Sequence, residues 1–213
     1  MAILLGKSYF LKLKNKELVS NSDLYFYEGK INHIVGKNGV GKSQLAKDFI
    51  LNRNGCIPKV VSQNTTLISS SSNVPNDISK DFLFDLLKCK FNNESKFKEI
   101  SKMLNLESIP SKILIKNLSD GQKQKLKLLS FLLEDKSIII LDEITNALDK
   151  KTVNDIYSFL NKFISDNPSK VIINITHNLS DLSSINGAQF LFKDKRIEEY
   201  TSKDHLINDY INL

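Results

Sequence analysis

A glycine-rich stretch at residues 36–43, Gly-Lys-Asn-Gly-Val-Gly-Lys-Ser, constrains the fold of this chain more than any other feature. It matches the P-loop pattern G-x-x-x-x-G-K-[ST] and lies between a predicted short buried strand (30–35) and a segment with helical spacing (44–50). Backbone N–H groups in such a loop converge with the positive helix end on phosphate oxygens. The alternative, a glycine-rich turn before a helix, does not account for the Lys-Ser ending. The residues predicted to bind the phosphates are Gly36, Lys37, Asn38, Gly39, Val40, Gly41, Lys42 and Ser43.

Within this loop two side chains carry distinct chemistry. The Lys42 ammonium is expected to reach the β- and γ-phosphates, and the Ser43 hydroxyl to bind Mg²⁺. The loop alone therefore predicts a site for a nucleotide phosphate and Mg²⁺.

Two carboxylates follow an apolar run at 138–141 and form a second candidate part of the site. The run predicts a central parallel strand, whose carboxyl end is where ligands lie in open α/β sheets. Asp142 is placed to hold the water shell of Mg²⁺, and Glu143 to accept a proton from the attacking water or to orient it. A strand that merely ends in solvated acids is the alternative, and the P-loop upstream argues against it.

Two further polar residues follow predicted strands. His177 stands at the tip of a strand predicted over 171–176, at the edge where the two acids also end. Gln63 ends a strand predicted over 58–62 and is expected to reach Mg²⁺ or its water. His33, inside the strand before the P-loop, and His205, in the C-terminal tail, receive no role.

The remaining chain supplies the frame. Short strands are predicted at 2–5, 9–13 and 24–27, and amphipathic helices between 64 and 117. The helical stripes are expected to pack on each other, or to expose apolar residues near Phe82 and Phe84 to a helix of a partner. Ser119 predicts a helix N-cap, whose hydroxyl and free amides form a second phosphate-binding end.

Charge and composition narrow the function class only slightly. The formal net charge of +6 and pI near 9.1 suit a nucleotide, an acidic membrane surface or nucleic acid, and the lysines are scattered rather than clustered. The two cysteines, Cys56 and Cys89, have no metal-ligand spacing and are expected to be ordinary thiols. No apolar run approaches the roughly 20 residues of a membrane span and no signal-peptide pattern opens the chain, so a cytoplasmic protein is expected.

In their order along the chain these strings resemble the ATP-binding cassette (ABC) ATPases. The discriminating string is Leu-Ser-Asp-Gly-Gln at 118–122, because this family pairs a near variant of Leu-Ser-Gly-Gly-Gln with its two nucleotide motifs. The resemblance assigns residues 36–43 to Walker A, Gln63 to the Q-loop, 118–122 to the signature, 138–142 to Walker B, Glu143 to the catalytic glutamate, 146–149 to the D-loop and His177 to the switch histidine.

The resemblance implies a fold and an assembly. The implied fold is α/β, a P-loop NTPase with a RecA-like, mostly parallel core sheet, a small N-terminal antiparallel part and an inserted helical subdomain. A single domain over 1–213 would have its core at about 1–63 and 118–213 and its helical subdomain at about 64–117. Two chains, copies or paralogues, would sandwich two ATPs head to tail, with Ser119, Gly121 and Gln122 of one facing the Walker A of the other.

The implied function is an ATPase subunit that powers a transporter through separate transmembrane permease subunits. Such a subunit would lie on the cytoplasmic face of the plasma membrane, with no direct nucleic-acid partner. A non-transport ABC ATPase, acting in cofactor assembly or on nucleic acid, and a low-turnover regulatory cassette stay open as alternatives. These motifs do not identify the transported substrate. The short β part resembles that of small exporter-type subunits and so weakly favours export over import.

Four departures from the family pattern accompany the resemblance. Asp120 replaces the first signature glycine, which places a carboxylate near the γ-phosphate held by the partner. Ile144 stands where the family usually has proline. The position of the adenine-stacking aromatic falls near Leu13, so apolar contact, Tyr9 or Phe10 would have to hold the base. Ser43 and Gln63 are only 63 − 43 = 20 positions apart, which predicts a trimmed β-subdomain.

Overall fold

A six-stranded, mostly parallel sheet carries the P-loop. The computed structural model describes the backbone of residues 1–213 and every side chain except that of Asn21. The strands are β1 (Ala2–Leu13), β2 (Lys16–Tyr27), β3 (Ile31–Val35), β4 (Thr65–Ser69), β5 (Ile138–Asp142), β6 (Val171–Thr176), β7 (Gly187–Lys193) and β8 (Arg196–Tyr200). The helices are α1 (Lys42–Leu51), α2 (Lys59–Gln63), α3 (Lys80–Phe91), α4 (Glu94–Met103), α5 (Asp120–Leu132), α6 (Lys150–Asp166), α7 (Leu179–Ser184) and α8 (Lys203–Ile211).

The order of strands in the large sheet is β4-β5-β6-β3-β7-β8. Strand β3 pairs in parallel with β6 and β7, β5 pairs in parallel with β6, and β8 closes the edge antiparallel to β7. Every residue of β3, β5 and β6 is buried, as expected for strands covered on both faces. The carboxyl ends of β3, β5 and β6 therefore meet at one edge, where the P-loop begins and where Asp142 and His177 lie.

The N-terminal strands form a two-stranded antiparallel sheet of their own. Strands β1 and β2 have 12 residues each, longer than the short strands predicted. Their register shifts between Leu4 and Gly6 and between Gly6 and Tyr9, and Ser8 adopts φ 48°, so a bulge interrupts the alternation of side chains. Buried residues of both strands join the core formed by β3, α1 and β6, which fastens the hairpin to the P-loop side of the sheet.

The segment before β4 was predicted wrongly. Residues 58–62 were expected to form a strand, but Lys59–Gln63 is the helix α2, with Pro58 at its N-cap position. Side chains favour this turn: the Ser62 hydroxyl donates to the Lys59 carbonyl at 3.1 Å, and the Asn64 amide to the Val60 carbonyl at 3.0 Å. The strand begins instead at Thr65.

The predicted trimming of the β part is confirmed. Between α1 and β4 the described residues form α2 and loops and contain no strand. The amphipathic runs near 78–87 and 97–104 are helices α3 and α4, as predicted.

The chain divides into two compact units. One comprises residues 1–67, 136–143 and 160–213 and holds the P-loop, Asp142, Glu143 and His177. The other comprises 68–135 and 144–159 and holds the signature string. Among the described residues, no helix has the length and apolar character that a membrane crossing requires.

Candidate functional site

The P-loop joins β3 to α1 with a backbone that only glycine adopts freely. Gly41 precedes the first residue of α1 with φ 117°, and a Cβ there would lie 3.3 Å from the Leu18 side chain. The Lys42 ammonium folds back and donates to the carbonyls of Gly36 at 2.6 Å and Lys37 at 3.1 Å. Burial lowers the pKa of Lys42, against the attraction of Glu143 and Asp142. The loop thus presents a largely desolvated cation at the edge of the sheet.

An open cleft of about 310 Å³ lies beside this loop. One wall comes from the P-loop and α1, and the other from the β1–β2 hairpin. The cleft is lined by Leu13, Lys16, Leu18, Asn38, Gly39, Gly41, Lys42, Ser43, Gln44 and Glu143. A phosphate-binding loop beside a half-apolar wall has the makeup expected of a nucleotide site.

Ser43 and Asp142, which the sequence predicts to hold Mg²⁺, contact each other in the structure. The Ser43 hydroxyl donates to Asp142 Oδ1 at 3.3 Å. Burial raises the pKa of Asp142, the nearby Glu143 adds to this effect, and the bond from Ser43 opposes it. A hydroxyl and a carboxylate are oxygen ligands of the kind that Mg²⁺ takes, and a cation would relieve the cost of the buried charge. The two residues therefore fit the ion.

Glu143 and His177 contact each other directly. His177 Nδ1 lies 2.9 Å from Glu143 Oε1, although the two residues are 34 positions apart. Glu143 has φ 55°, a left-handed conformation that is uncommon for a glutamate and that is found where a site over-determines the backbone. Its N–H donates to the Ile175 carbonyl at 2.9 Å, so the bend is held by the neighbouring strand β6. The pair can bind a water and share a proton with it.

The signature string begins α5 as predicted. Ser119 and Gln122 form a capping box: the Gln122 N–H donates to the Ser119 hydroxyl at 3.2 Å, and the Ser119 N–H to Gln122 Oε1 at 3.0 Å. A Cβ on Gly121 would lie 2.6 Å from Thr152 Oγ1, so this glycine also permits close packing on α6. Asp120 is exposed, and its carboxylate lies 3.9 Å from the Lys123 ammonium.

Comparison with known proteins identifies the family. A profile described as "ABC transporter" matches residues 19–146. The "Probable peptide export ATP-binding protein YydI" of Bacillus subtilis (strain 168) is 62% identical over 96% of this chain and 98% of its own length. The chain belongs to the ABC transporter family. As a member, it is an ATP-binding subunit whose ATPase activity powers a transporter.

More distant relatives agree with this assignment. The "Energy-coupling factor transporter ATP-binding protein EcfA1" of Mycoplasma pneumoniae (strain ATCC 29342 / M129 / Subtype 1) is 28% identical to this ABC ATPase over 88% of the chain and 74% of its own length. A solved structure of a nucleotide-free ATP-binding cassette from an ABC transporter superimposes with a TM-score of 0.77 over 100% of this chain and 96% of the other, at 15% identity. The predicted P-loop NTPase fold is confirmed.

Gln63 does not lie where a Mg²⁺ ligand of this ABC ATPase is needed, and its assignment as the Q-loop residue is wrong. It ends α2, its side chain is exposed, and its carbonyl accepts from the Lys136 ammonium at 2.9 Å. The next residue, Asn64, accepts from the N–H of Ile138, the first residue of β5, at 3.0 Å. Asp142 is four residues further along β5, about 13 Å away at the rise of a strand. Gln63 therefore lies at the amino edge of the sheet.

The base-holding aromatic suggested at Tyr9 is also excluded. Tyr9 is 0% exposed, and its hydroxyl donates to Asp48 Oδ2 at 2.9 Å, inside the core. Among the described side chains, those that line the cleft include no aromatic ring, and Phe10 is not one of them. Leu13 does line the cleft, so of the three suggestions apolar contact is the one that the geometry retains.

Three residues of the cleft wall were not predicted from the sequence: Lys16, Leu18 and Gln44. The first two belong to β2, which was predicted only from residue 24 onward. The signal that could have revealed them is the Lys14-Asn15 pair between two strand-like runs, since Asn favours tight turns and Lys14 adopts φ 54°. Three loop residues predicted to bind phosphate, Gly36, Lys37 and Val40, do not line the cleft, whereas the other five do.

Proposed function

We propose that this ABC ATPase hydrolyses ATP with Glu143 as the general base and His177 as the residue that orients it. The observation that carries the proposal is the 2.9 Å contact between His177 Nδ1 and Glu143 Oε1 at the carboxyl edge of the sheet. A carboxylate held by an imidazole has a defined orientation, and it can take a proton from a water aimed at the γ-phosphate.

The phosphate and metal sites complete this half of the proposal. Lys42 and the backbone N–H groups of residues 36–43 would bind the phosphates, which requires the Lys42 ammonium to exchange its loop carbonyls for phosphate oxygens. Ser43 and Asp142 would hold Mg²⁺, which supplies positive charge against the developing negative charge. Leu13 and Leu18 would contact the base.

The signature string belongs, in this proposal, to the site of a second subunit. Ser119, Gly121 and Gln122 begin α5, where an N-capping hydroxyl and helix amides suit a phosphate. The partner is a second copy or a paralogous subunit. The exposed Asp120 carboxylate would then approach the partner's γ-phosphate, and its lysine neighbour at 3.9 Å partly offsets the repulsion.

We further propose a division of labour between the two parts of the chain. The core, at about 1–63 and 118–213, binds and hydrolyses ATP, and the helical segment at about 64–117 receives the permease. Phe82 and Leu86 on α3 are 53% and 45% exposed and supply the apolar contact.

The proposed cargo is a peptide and the proposed direction is export. Both come from the name of the Bacillus subtilis relative, which matches at 62% identity over 98% of its length. The site of action would be the cytoplasmic face of the plasma membrane, on transmembrane subunits in other chains.

Substitution of Glu143 by Gln tests the catalytic assignment. The variant keeps shape and hydrogen bonding but loses the base, so the turnover rate should fall by about 10²–10⁴-fold while ATP binding is retained. Dimers formed by mixing the variant with ATP should persist in size-exclusion chromatography. The matched control is Glu107→Gln, an exposed glutamate outside the site. Turnover at the parent rate in Glu143→Gln would remove Glu143 from its assigned role.

A further inference from the structure

The helix α8 is packed against two segments of the proposed catalytic centre. Leu206, at 0% exposure, joins a cluster with Val35, Leu182 and Leu191. Val35 is the last residue of β3 before the P-loop, and Leu182 lies on α7, the helix that follows His177. One turn of α8 therefore rests on both segments at once.

A polar anchor fixes the rotation of α8. The Asp209 carboxylate accepts from the Lys193 ammonium at 3.0 Å and from the Tyr200 hydroxyl at 2.5 Å. Lys193 ends β7 and Tyr200 ends β8, so the helix is tied to two strands. The next residue, Tyr210, is thereby held in a defined direction.

Tyr210 faces the P-loop. The Lys37 ammonium lies 4.8 Å from the centroid of the Tyr210 ring, within the range of a cation–π contact. Lys37 is the second residue of the loop, and its carbonyl accepts from the Lys42 ammonium at 3.1 Å. The Tyr210 ring therefore contacts Lys37, and the carbonyl of Lys37 in turn accepts a hydrogen bond from Lys42.

We propose that Tyr210 is a positioning residue for ATP binding, acting through Lys37. The ring restrains the side chain of Lys37 outside the cleft, and this restrains the loop segment that must wrap the phosphates. A loop that is already ordered loses less conformational entropy when ATP binds, so the contact between Tyr210 and Lys37 should increase the affinity for ATP. The inference rests on the proposed role of residues 36–43 in binding phosphate.

Calorimetric titration of ATP with Mg²⁺ into the full chain tests this inference. Tyr210→Leu removes the ring but keeps apolar packing and should raise the Kd about two- to fivefold, the size of an exposed cation–π contact. Tyr210→Phe keeps the ring and should bind like the parent. Ile211→Ala, on the same helix at 63% exposure, is the matched control and should have no effect.

The coupling to Lys37 separates positioning from a general loss of structure. In a Lys37→Met background, Tyr210→Leu should cause no further loss of affinity, and the melting temperatures of all variants should agree. An unchanged or lower Kd in Tyr210→Leu, or an undiminished effect without Lys37, overturns the inference. Lys42→Ala tests the proposed P-loop site itself. If Lys42→Ala still binds ATP like the parent, the proposed site is refuted. If Lys42→Ala loses ATP binding but Tyr210→Leu keeps the parent Kd, only the role of Tyr210 is refuted.

Discussion

Acidification should destabilise this protein through His33, which lies in the strand that leads into the P-loop. The ring is 0% exposed. Its Nδ1 lies 3.3 Å from the Asn174 amide nitrogen, which is a donor, so Nδ1 accepts and Nε2 carries the hydrogen. That hydrogen is donated to the Ile185 carbonyl at 3.1 Å. The fold therefore accommodates the neutral imidazole.

The size of the effect follows from the pKa of His33. Burial lowers this pKa from 6.5 to about 4, against the opposing pull of the Ile185 carbonyl and the Asp181 charge. Below pH 6.5 the unfolded chain binds a proton at His33 and the folded chain does not, so protonation favours unfolding. The stability that depends on neutral His33 is therefore fully present above pH 6.5. It is lost as the pH falls from 6.5 towards 4. Because pH 5 lies about 1.5 units below the unfolded-state pKa of 6.5, the loss there is about 2 kcal/mol of unfolding free energy.

Urea-induced unfolding at pH 7.5 and pH 5 measures this loss. The parent should lose about 2 kcal/mol more than His33→Gln, which cannot titrate, and His205→Gln, an exposed histidine on α8, should behave like the parent. Equal losses in the parent and in His33→Gln would refute the reasoning. If His33→Gln does not fold, an NMR titration of the parent decides the question, because a His33 pKa near the 6.5 of a free histidine would contradict the burial argument.

Two further substitutions test the core and the proposed docking surface. Tyr9→Phe leaves the Asp48 carboxylate, 1% exposed, without its hydroxyl donor and should cost about 1–3 kcal/mol in urea unfolding. Tyr25→Phe, at 48% exposure, should cost much less. Replacing Phe82 and Leu86 together by serine should abolish co-purification of a membrane protein at unchanged melting temperature. Retained co-purification would remove α3 as the docking surface.

The parts of the fold that the sequence predicted are those where local pattern and burial agree. Residues 138–142 and 171–176 are segments rich in Ile, Val and Leu that are too short for a helix, and both are fully buried strands. The apolar spacing over about 150–165 likewise predicts a helix, and Lys150–Asp166 is the helix α6. At 58–63 the two signals conflicted, because Val60 and Val61 favour a strand while hydrogen bonds from Ser62 and Asn64 favour a helical turn. The segment forms a helix, and as a result the Val60 side chain is 65% exposed.

The error at 58–63 propagated into the site, since a polar residue becomes a ligand only at the correct edge of the sheet. Gln63 was assigned from its position after an assumed strand, and its side chain type was suitable. Its location at the amino edge, beside the start of β5, depends on which residues form the strand. Side-chain chemistry alone therefore does not make Gln63 a ligand. The structure does bring Ser43 and Asp142, the two other proposed Mg²⁺ ligands, into contact, because Ser43 follows the loop after β3 and Asp142 ends β5.

The contact between Glu143 and His177 shows what strand register adds to such a site. The sequence places both residues at strand tips, but a contact needs the tips to be level. In the pairing of β5 with β6, Asp142 lies opposite Ile175, and the Glu143 N–H donates to the Ile175 carbonyl. His177 lies two residues after Ile175, so it is close to Glu143. A slip of one residue would turn every side chain of β5 to the opposite face of the sheet. Because both strands are buried on both faces, apolar pattern cannot choose between these registers. Polar groups can choose between the registers. The slip would bury the Asp142 carboxylate away from Ser43, so the two residues proposed to hold Mg²⁺ also favour the register that brings them together.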